Sequence, residues 1–406
     1  MEQGISVERA VELITGCAHP VGTEHIPAIT AHGRVLAEDI FAPMNQPPWP
    51  RSPLDGYALR AADSAGACKE SPVALRVVDT VNAGDFSNET IGAGGCVRIM
   101  TGAPIPGGCD CVAWQEDTDS GVTEVRLYAE LKPWENYCFA GEDFKRGDLL
   151  IPSGAVFNAA AMGVLASAGL LREENQISVR RRVRCALICT GDELAENDTR
   201  PLPPGKIYSS NAALLSARLR ELGIELTVMH STFGDDAAAL ADTIRAAAGD
   251  SDLILTTGGV SVGAKDILHE SLPLLGAERV FWKVSLKPGS PLMFSIYRET
   301  PILSLSGNPF AASATFELFA RPLLAALSGT DALLPKRCEA VLDTPFLKTS
   351  RIPRYVRGQL RNGRVSLPEG HASGLLSSAV GTNCLVEIPV NSSPLPAGRK
   401  VRAMLL

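Results

Sequence analysis

The chain has 406 residues, of which 45% are hydrophobic and 20% are charged, so it is too long for one core and predicts a soluble globular protein of several domains. Its net charge of −7 argues against a general nucleic-acid binder, and no apolar run approaches the roughly 20 residues of a membrane span. The N-terminus lacks the apolar block of a signal peptide, and the ten cysteines show neither a CxxC pair nor zinc spacing. We therefore expect a cytoplasmic protein that contacts neither nucleic acid nor a membrane.

The first part of the chain predicts a short helix followed by a β-rich region. Residues 5–16 are helix-like, whereas the Pro-rich stretch MNQPPWPRSPLDG (44–56) cannot be helical. From about 46 to 146, short β-type runs such as CVRIM are broken by glycines, which is typical of a small β domain. AAAMGVLASAGL (159–170) is again helix-like.

Residues 183–327 alternate apolar runs with helical patterns. Leu215, Leu219 and Leu222 mark one helix face, and Gly223 follows as a stop signal. Such strand–helix alternation predicts a doubly wound, mainly parallel α/β sheet. After Gly329 the chain returns to short β runs, which suggest a small barrel or sandwich.

The stretch LILTTGGVSVGAKD (253–266) carries the strongest signal for a ligand. Ligands of open α/β sheets gather at the carboxyl ends of the strands, where this stretch places Gly258, Gly259 and Gly263. Glycines let backbone N–H groups approach an anion closely. The spacing fits neither a Walker A loop nor GxGxxG. A tight turn without a ligand, with Asp266 as a helix cap, is the alternative.

Carboxylates follow three consecutive strands of this region. Asp192 and Glu193 of TGDEL follow the first strand, GDD (234–236) follows the second, and Asp266 follows the third. Helix capping explains each of them singly, but together on one rim they would repel unless a divalent metal or cationic groups compensate. Lys283 and Lys287 could supply part of that compensation.

The motifs, taken together, resemble the molybdopterin molybdenumtransferase family, which includes MoeA and the E domains of gephyrin and of plant Cnx proteins. The resemblance covers nearly the whole chain and rests on nine segments in order: HGRVLAEDI, LDGYALR, RIMTGAPIPGGCD, GEDF, CTGDEL, TTGGVSVGAKD, FWKVSLKPG, SGNPFAA and PRYVRG.

The resemblance implies a multidomain α/β protein with a central molybdopterin-binding domain. The other domains would be a β-rich lid, a helical and extended N-terminal domain and a small C-terminal β barrel. The expected bounds are 1–45 with 147–179 for the N-terminal linking domain, 46–146 for the β-rich domain, 180–329 for the α/β domain and 330–406 for the barrel.

The implied function is molybdenum cofactor biosynthesis, in which molybdate is inserted into adenylylated molybdopterin with release of AMP and with Mg²⁺ assistance. The family also implies a homodimer whose site lies between the α/β domain and barrel of one subunit and the β domain of the other. Contacts with the molybdopterin adenylyltransferase and with molybdoenzyme chaperones follow from the same resemblance.

The implied site residues match the family's motifs one by one. The expected catalytic residues are carboxylates, namely Asp55, Asp143, Glu193 and Asp266. The expected Mg²⁺ ligands are Glu193, Asp235 and Asp266. The expected substrate-binding residues offer N–H, hydroxyl or cationic groups and are Thr101, Gly258, Gly259, Ser261, Lys283, Lys287, Ser306, Asn308, Arg357 and Ser373. We interpret Asp55 and Asp143 as groups of the other subunit that complete the cleft or handle protons.

One departure from the family leaves a second function open. The family's KPGKP reads KPGSP here, so Ser290 stands where a lysine helps to hold molybdate. One such ion pair can change affinity by orders of magnitude. The retained acids favour an active enzyme, while the lost lysine favours a non-catalytic or altered-specificity (for example tungstate) molybdopterin-binding paralogue.

Overall fold

A computed structural model of the protein describes residues 2–195, 199–230, 236–261, 267–369 and 374–406. Its centre is a seven-stranded sheet in which only Met293–Tyr297 runs antiparallel to its neighbours. The strands lie in the spatial order Glu2–Ile5, Glu278–Val284, Met293–Tyr297, Thr300–Leu305, Leu253–Thr257, Arg184–Cys189 and Glu225–His230. The prediction of a mainly parallel sheet is confirmed.

Helices cover both faces of this sheet because alternate residues of the central strands point to opposite sides. Leu187 and Leu255 belong to one apolar core, and Ile188 and Ile254 belong to the other. Val7–Gly16, Ser210–Glu221 and Pro309–Thr315 pack on the first face, and Ala237–Asp250 and Leu268–Leu275 pack on the second. The sheet is therefore doubly wound.

The predicted helix face Leu215–Leu219 is buried in the first core. Ser209 caps the start of this helix by accepting a hydrogen bond from the N–H of Ala212, and Gly223 follows its end with φ +74°. Local sequence signals therefore set both ends of the helix.

Residues 2–16 join the α/β sheet, although the sequence placed residues 1–45 with the linking domain. The strand Glu2–Ile5 pairs in parallel with Glu278–Val284, and the helix Val7–Gly16 buries Val7, Ala10 and Ile14 in the first core. This segment therefore covers a free edge of the sheet and buries its apolar helix face in the first core.

The helix that begins at Pro309 is long and apolar. Pro309–Ser328 spans 20 residues and, by length and composition, could cross a membrane, which the sequence had not suggested. However, 89% of its most apolar window is buried inside the protein. It is built from Pro309–Thr315, a π-helical segment Phe316–Ala320 and Arg321–Ser328. Its burial identifies it as the core helix of a soluble protein.

The β-rich body is a five-stranded sheet with an apolar core on each face. Its strands lie in the order Cys111–Trp114, Gly56–Leu59, Gly95–Ile99, Val73–Val81 and Glu124–Leu127. The Pro-rich stretch 44–56 runs into this sheet without forming a helix, as predicted.

The linking body contains two strand pairs and one helix. The pairs are Thr23–Pro27 with Gln176–Arg180 and Ile40–Phe41 with Leu149–Ile151, and the helix is Ala159–Ser167.

The C-terminal region is a closed barrel, which settles the choice between barrel and sandwich. Its strands are Arg337–Leu342, Arg364–Ser366, Arg354–Arg361, Cys384–Ile388 and Lys400–Leu405.

Short elements elsewhere are the strand pair Leu194–Ala195 with Ile207–Tyr208 and the 3₁₀ turns Ala28–Thr30, Ala61–Ser64, Gln115–Asp117, Asp331–Leu333 and Ser377–Ala379.

Candidate active site

A cavity of about 510 Å³ opens at the carboxyl ends of three parallel strands of the central sheet. These strands are Arg184–Cys189, Leu253–Thr257 and Thr300–Leu305. We call this cavity the glycine cavity. Its lining residues are Thr190, Gly191, Asp192, Glu193, Gly205, Gly258, Gly259, Val260, Ser261, Ser306 and Gly307. Its position is the one at which open α/β sheets bind ligands.

Two glycines allow the loop after Leu253–Thr257 to reach this position. Gly258 has φ +90°, and a Cβ there would lie 2.2 Å from the carbonyl oxygen of Thr190. Gly259 has φ +59°, and its Cβ would lie 2.9 Å from Cγ2 of Ile267. The N–H of Gly258 donates to the carbonyl of Leu305 at 3.2 Å. This N–H group therefore holds the loop and does not point to a ligand. The loop is thus packed against both neighbouring strand ends.

The predicted acid Glu193 lies at the cavity and is exposed. Its carboxylate covers Gly191, since a Cβ on that glycine would lie 2.6 Å from Oε2 of Glu193. Lys206, which the sequence reasoning missed, donates from Nζ to the carbonyl oxygen of Asp192. An ammonium group therefore stands at the same rim as the acids. The strand pairing of Ile207–Tyr208 with Leu194–Ala195 brings Lys206 there.

Several expected residues lie outside the described part of the chain: Asp235, Asp266, Ser373 and Gly263. Asp236, next to one of them, caps the helix Ala237–Asp250 by accepting bonds from the N–H groups of Ala238 and Ala239, both at 3.0 Å. Within the described ranges, no group of three or more His, Cys, Asp or Glu side chains is arranged to hold a metal ion. The described residues therefore provide Asp192 and Glu193 as the acids of this cavity.

A second cavity of about 390 Å³ lies beside the first, between the α/β sheet and the barrel. We call it the lysine cavity after Lys287, and Ser306 borders both cavities. Its lining residues are Leu286, Lys287, Pro288, Gly289, Ser290, Pro291, Ser306, Asn308, Phe310, Ala311, Phe346, Lys348, Arg354, Tyr355 and Val356. The expected binding residues Lys287, Ser306 and Asn308 therefore meet in one place.

Arg357 does not line the lysine cavity. Its side chain is 1% exposed, its Cζ lies 4.2 Å from the ring centre of Phe310, and it borders a neighbouring cavity of about 460 Å³. Burial lowers the pKa of its guanidinium below the ordinary value. Arg354, three positions earlier on the same strand, faces the lysine cavity instead, because side chains alternate along a strand. That alternation was the available signal for Arg354, which the sequence reasoning missed.

Lys283 lines neither the glycine cavity nor the lysine cavity, and its ammonium group contacts a tryptophan ring. It has φ +65°, and its Nζ lies 4.2 Å from the ring centre of Trp282. The indole N–H of Trp282 donates to the carbonyl of Val260 at 3.1 Å. Lys283 therefore supports the loop of the glycine cavity through Trp282.

Asp55 and Thr101 form one unit in the β-rich body. Oδ1 of Asp55 accepts the backbone N–H and the hydroxyl of Thr101, both at 2.7 Å. These two bonds, that from the N–H first, lower the pKa of the exposed Asp55 carboxyl below its usual value. Asp143 is exposed in the same body, and its N–H donates to Gln46 O at 2.9 Å. These three residues thus lie in a different body from the glycine cavity.

Three family models match the chain in succession. They are the MoeA N-terminal region (domain I and II) over residues 5–169, the probable molybdopterin binding domain over 186–326 and the MoeA C-terminal region (domain IV) over 339–406.

Curated relatives match over nearly the full length. The molybdopterin molybdenumtransferase of Staphylococcus epidermidis is 33% identical over 405 residues, covering 99% of this chain and 95% of the relative. That of Staphylococcus aureus is 34% identical over 390 residues, covering 94% and 91%. These names support the reading of a transferase rather than that of a non-catalytic binder.

Two solved structures of a molybdopterin biosynthesis MoeA protein from Pyrococcus horikoshii share the fold. One superposes with a TM-score of 0.82 at 28% identity and covers 99% of both chains. The other superposes with a TM-score of 0.87 at 26% identity and covers 99% of this chain and 100% of its own.

Proposed function

This chain belongs to the MoeA family of molybdopterin molybdenumtransferases, and on that premise we propose that it inserts molybdate into adenylylated molybdopterin with release of AMP. The family assigns it to molybdenum cofactor biosynthesis as a transferase. The observation that carries the detailed proposal is the juxtaposition of the glycine cavity, which has Glu193 at its rim, with the cationic lysine cavity across Ser306.

The two cavities suit the two anionic parts of the reaction. Phosphate groups and the pterin would lie in the glycine cavity, where backbone approach is close and Ser261 and Ser306 offer hydroxyl groups. Molybdate would lie in the lysine cavity near Lys287. This arrangement brings the oxyanion beside the pterin, so metal insertion and loss of AMP can occur in one cleft.

Cleavage of the adenylate depends mainly on positioning and on charge neutralisation around phosphate oxygens. We propose that Glu193, with Asp235 and Asp266, holds Mg²⁺, which supplies positive charge to those oxygens when bound. The exposed carboxylate of Glu193 at the cavity fits this ion, because Mg²⁺ is usually bound through one or two carboxylates together with substrate phosphates. Lys206 neutralises part of the remaining charge at the same rim.

We propose a homodimer in which the β-rich body of one copy completes the cleft of the other. Asp55, Thr101 and Asp143 are exposed on that body and are available to a second copy. The lowered pKa of Asp55 makes it a weak base, so we assign it a role in closing and orienting the cleft rather than in accepting a proton.

We retain the expected division into four domains, with residues 2–16 moved to the α/β domain. We also propose a cytoplasmic location, since the ten cysteines are free thiols. There the protein would receive its substrate from the molybdopterin adenylyltransferase and pass its product to molybdoenzyme chaperones.

The test is incubation of the purified protein with adenylylated molybdopterin, Mg²⁺ and either molybdate or tungstate, with AMP and metallated pterin measured separately. We expect AMP release that requires the oxyanion and falls at least 100-fold in Glu193→Gln, as removal of a charge-stabilising group does. Glu173→Gln, an exposed acid of the linking body, is the matched control. Tight pterin binding without AMP release under every condition would refute the proposal.

A further inference from the structure

The lysine cavity has an unbalanced charge. Its lining residues include Lys287, Lys348 and Arg354 but no carboxylate, in a protein whose net charge is −7. None of these three side chains forms an ion pair or a side-chain hydrogen bond with another described residue. Uncompensated cations that converge on one space are typical of an anion site.

The backbone pairs two of these residues. Lys287 N–H donates to the carbonyl of Pro353 at 2.9 Å, and Tyr355 N–H donates to the carbonyl of Lys287 at 2.8 Å. Lys287 and Arg354 are therefore direct partners in a parallel bridge between the α/β loop and the barrel. Like charges opposite one another disfavour strand pairing, and a bound anion would offset that repulsion.

The guanidinium of Arg354 is available to a ligand. Its Nε is buried and has no hydrogen-bond partner among the described residues, and its Cζ lies 5.8 Å from the ring centre of Phe346. Arg354 also borders a cavity that contains Glu8, Glu339 and Glu387. Glu387 is bound by two arginines, and Glu339 is bound by a lysine. The carboxylates on that side are thus engaged elsewhere, except Glu8, which has no ion-pair partner among the described residues.

The loop that carries Lys287 is packed closely, and it is the loop in which Ser290 stands in place of the family's second lysine. Gly289 has φ +94°, and a Cβ there would lie 2.3 Å from Cγ2 of Thr315, so the loop is packed against the long helix. Ser290, where the family has its second lysine, lines the same cavity. Ser290, which lacks the family's charge, therefore faces the same cavity as the cations Lys348 and Arg354.

We propose that Arg354 and Lys348, together with Lys287, bind the tetrahedral oxyanion substrate in this chain and replace the charge that Ser290 lacks. This inference rests on the proposed function for the identity of the oxyanion. The planar guanidinium of Arg354 can donate two parallel hydrogen bonds to two oxygens of the anion, while the lysines act as point charges. Arg354 and Lys348 are then residues that determine oxyanion affinity.

The first experiment measures molybdate binding to the full chain by calorimetry, without pterin. We expect Arg354→Gln and Lys348→Gln each to weaken molybdate binding by about 10-fold to 100-fold, as loss of one charge-assisted contact does. Arg354→Lys, which keeps the charge but not the fork, should lie between wild type and Arg354→Gln. Arg361→Gln is the matched control because it is an exposed arginine of the same strand.

The second experiment supplies the missing lysine. Ser290→Lys in the Arg354→Gln background should restore molybdate affinity to within about 3-fold of wild type, because it returns one charge to the same cavity. In turnover, Arg354→Gln should raise the KM for molybdate and leave the KM for adenylylated molybdopterin unchanged.

Binding and turnover separate the two proposals. Wild-type molybdate affinity in both Gln variants, or no rescue by Ser290→Lys in a folded protein, would overturn the oxyanion assignment. Calorimetric binding that follows the predicted order without any AMP release would keep this assignment and refute the proposed function.

Discussion

We expect Gly258→Ala to disrupt the glycine cavity far more than Gly205→Ala, although both residues line it and both have positive φ. The left-handed backbone alone costs each variant about 1–2 kcal/mol. At Gly205 a Cβ meets nothing within 4 Å, whereas at Gly258 it would lie 2.2 Å from the carbonyl oxygen of Thr190, where ordinary contact begins at 3.4 Å. Thr190 is fixed by its N–H bond to Thr257 O at 2.8 Å, so relief of this overlap adds about 1–3 kcal/mol.

The total for Gly258→Ala is therefore about 2–5 kcal/mol, against about 1–2 kcal/mol for the control. Hydrogen exchange in the strand Leu253–Thr257 measures the local loss of stability, which suits a protein of several domains better than a single unfolding curve. A shift of the segment that carries Glu193 by about 1 Å should also lower turnover about 100-fold. Equal exchange rates and equal turnover in the two variants would refute the assigned steric role of Gly258.

Three further outcomes follow from the charged groups. Burial by itself raises the pKa of Asp252, but the bidentate bonds to Arg181 (2.6 and 2.5 Å) lower that pKa overall. The pair should therefore stabilise the fold at pH values above the ordinary carboxyl pKa of about 3.9, and this stabilisation should be lost as pH falls through the pKa of the folded state. The difference in stability between wild type and Asp252→Asn should thus be constant from neutral pH to about 5 and shrink below about 4, and a difference that grows on acidification would contradict this. Glu317→Ala should destabilise the protein by about 3–5 kcal/mol in denaturant titrations, because the buried Arg321 loses its carboxylate partner at 2.9 Å and keeps bonds to backbone carbonyls. Glu317→Leu should cost less than Glu317→Ala, because it leaves a smaller cavity. Glu193→Gln should raise the Mg²⁺ concentration needed for half-maximal AMP release, and an unchanged requirement would remove Glu193 from the ion's ligands.

Local patterns in the sequence were sufficient for the elements and for part of the site. The 3.6-residue spacing of Leu215 and Leu219 predicted a helix face that the first core buries, and strand–helix alternation predicted the doubly wound sheet. Glycines after the strand Leu253–Thr257 predicted a cavity at its carboxyl end, where Gly258 and Gly259 lie. These features depend on neighbours within a few residues, so a sequence window contains their causes.

The arrangement of the charges could not be obtained in this way. Arg354 and Arg357 belong to one motif, but one faces the lysine cavity and the other is buried against Phe310. Asp55 and Thr101 are 46 residues apart and share two hydrogen bonds. Each of these arrangements brings together residues that are distant in sequence and meet only in the folded chain.

By itself the sequence determined the family, the types of element and the glycine-rich strand end, because backbone conformation and apolar periodicity are encoded locally. Only the tertiary structure decided that residues 2–16 extend the central sheet and that Lys287 lies opposite Arg354. The physical reason is that electrostatic energy depends on distance in space, and the spacing of charges along the chain does not specify that distance.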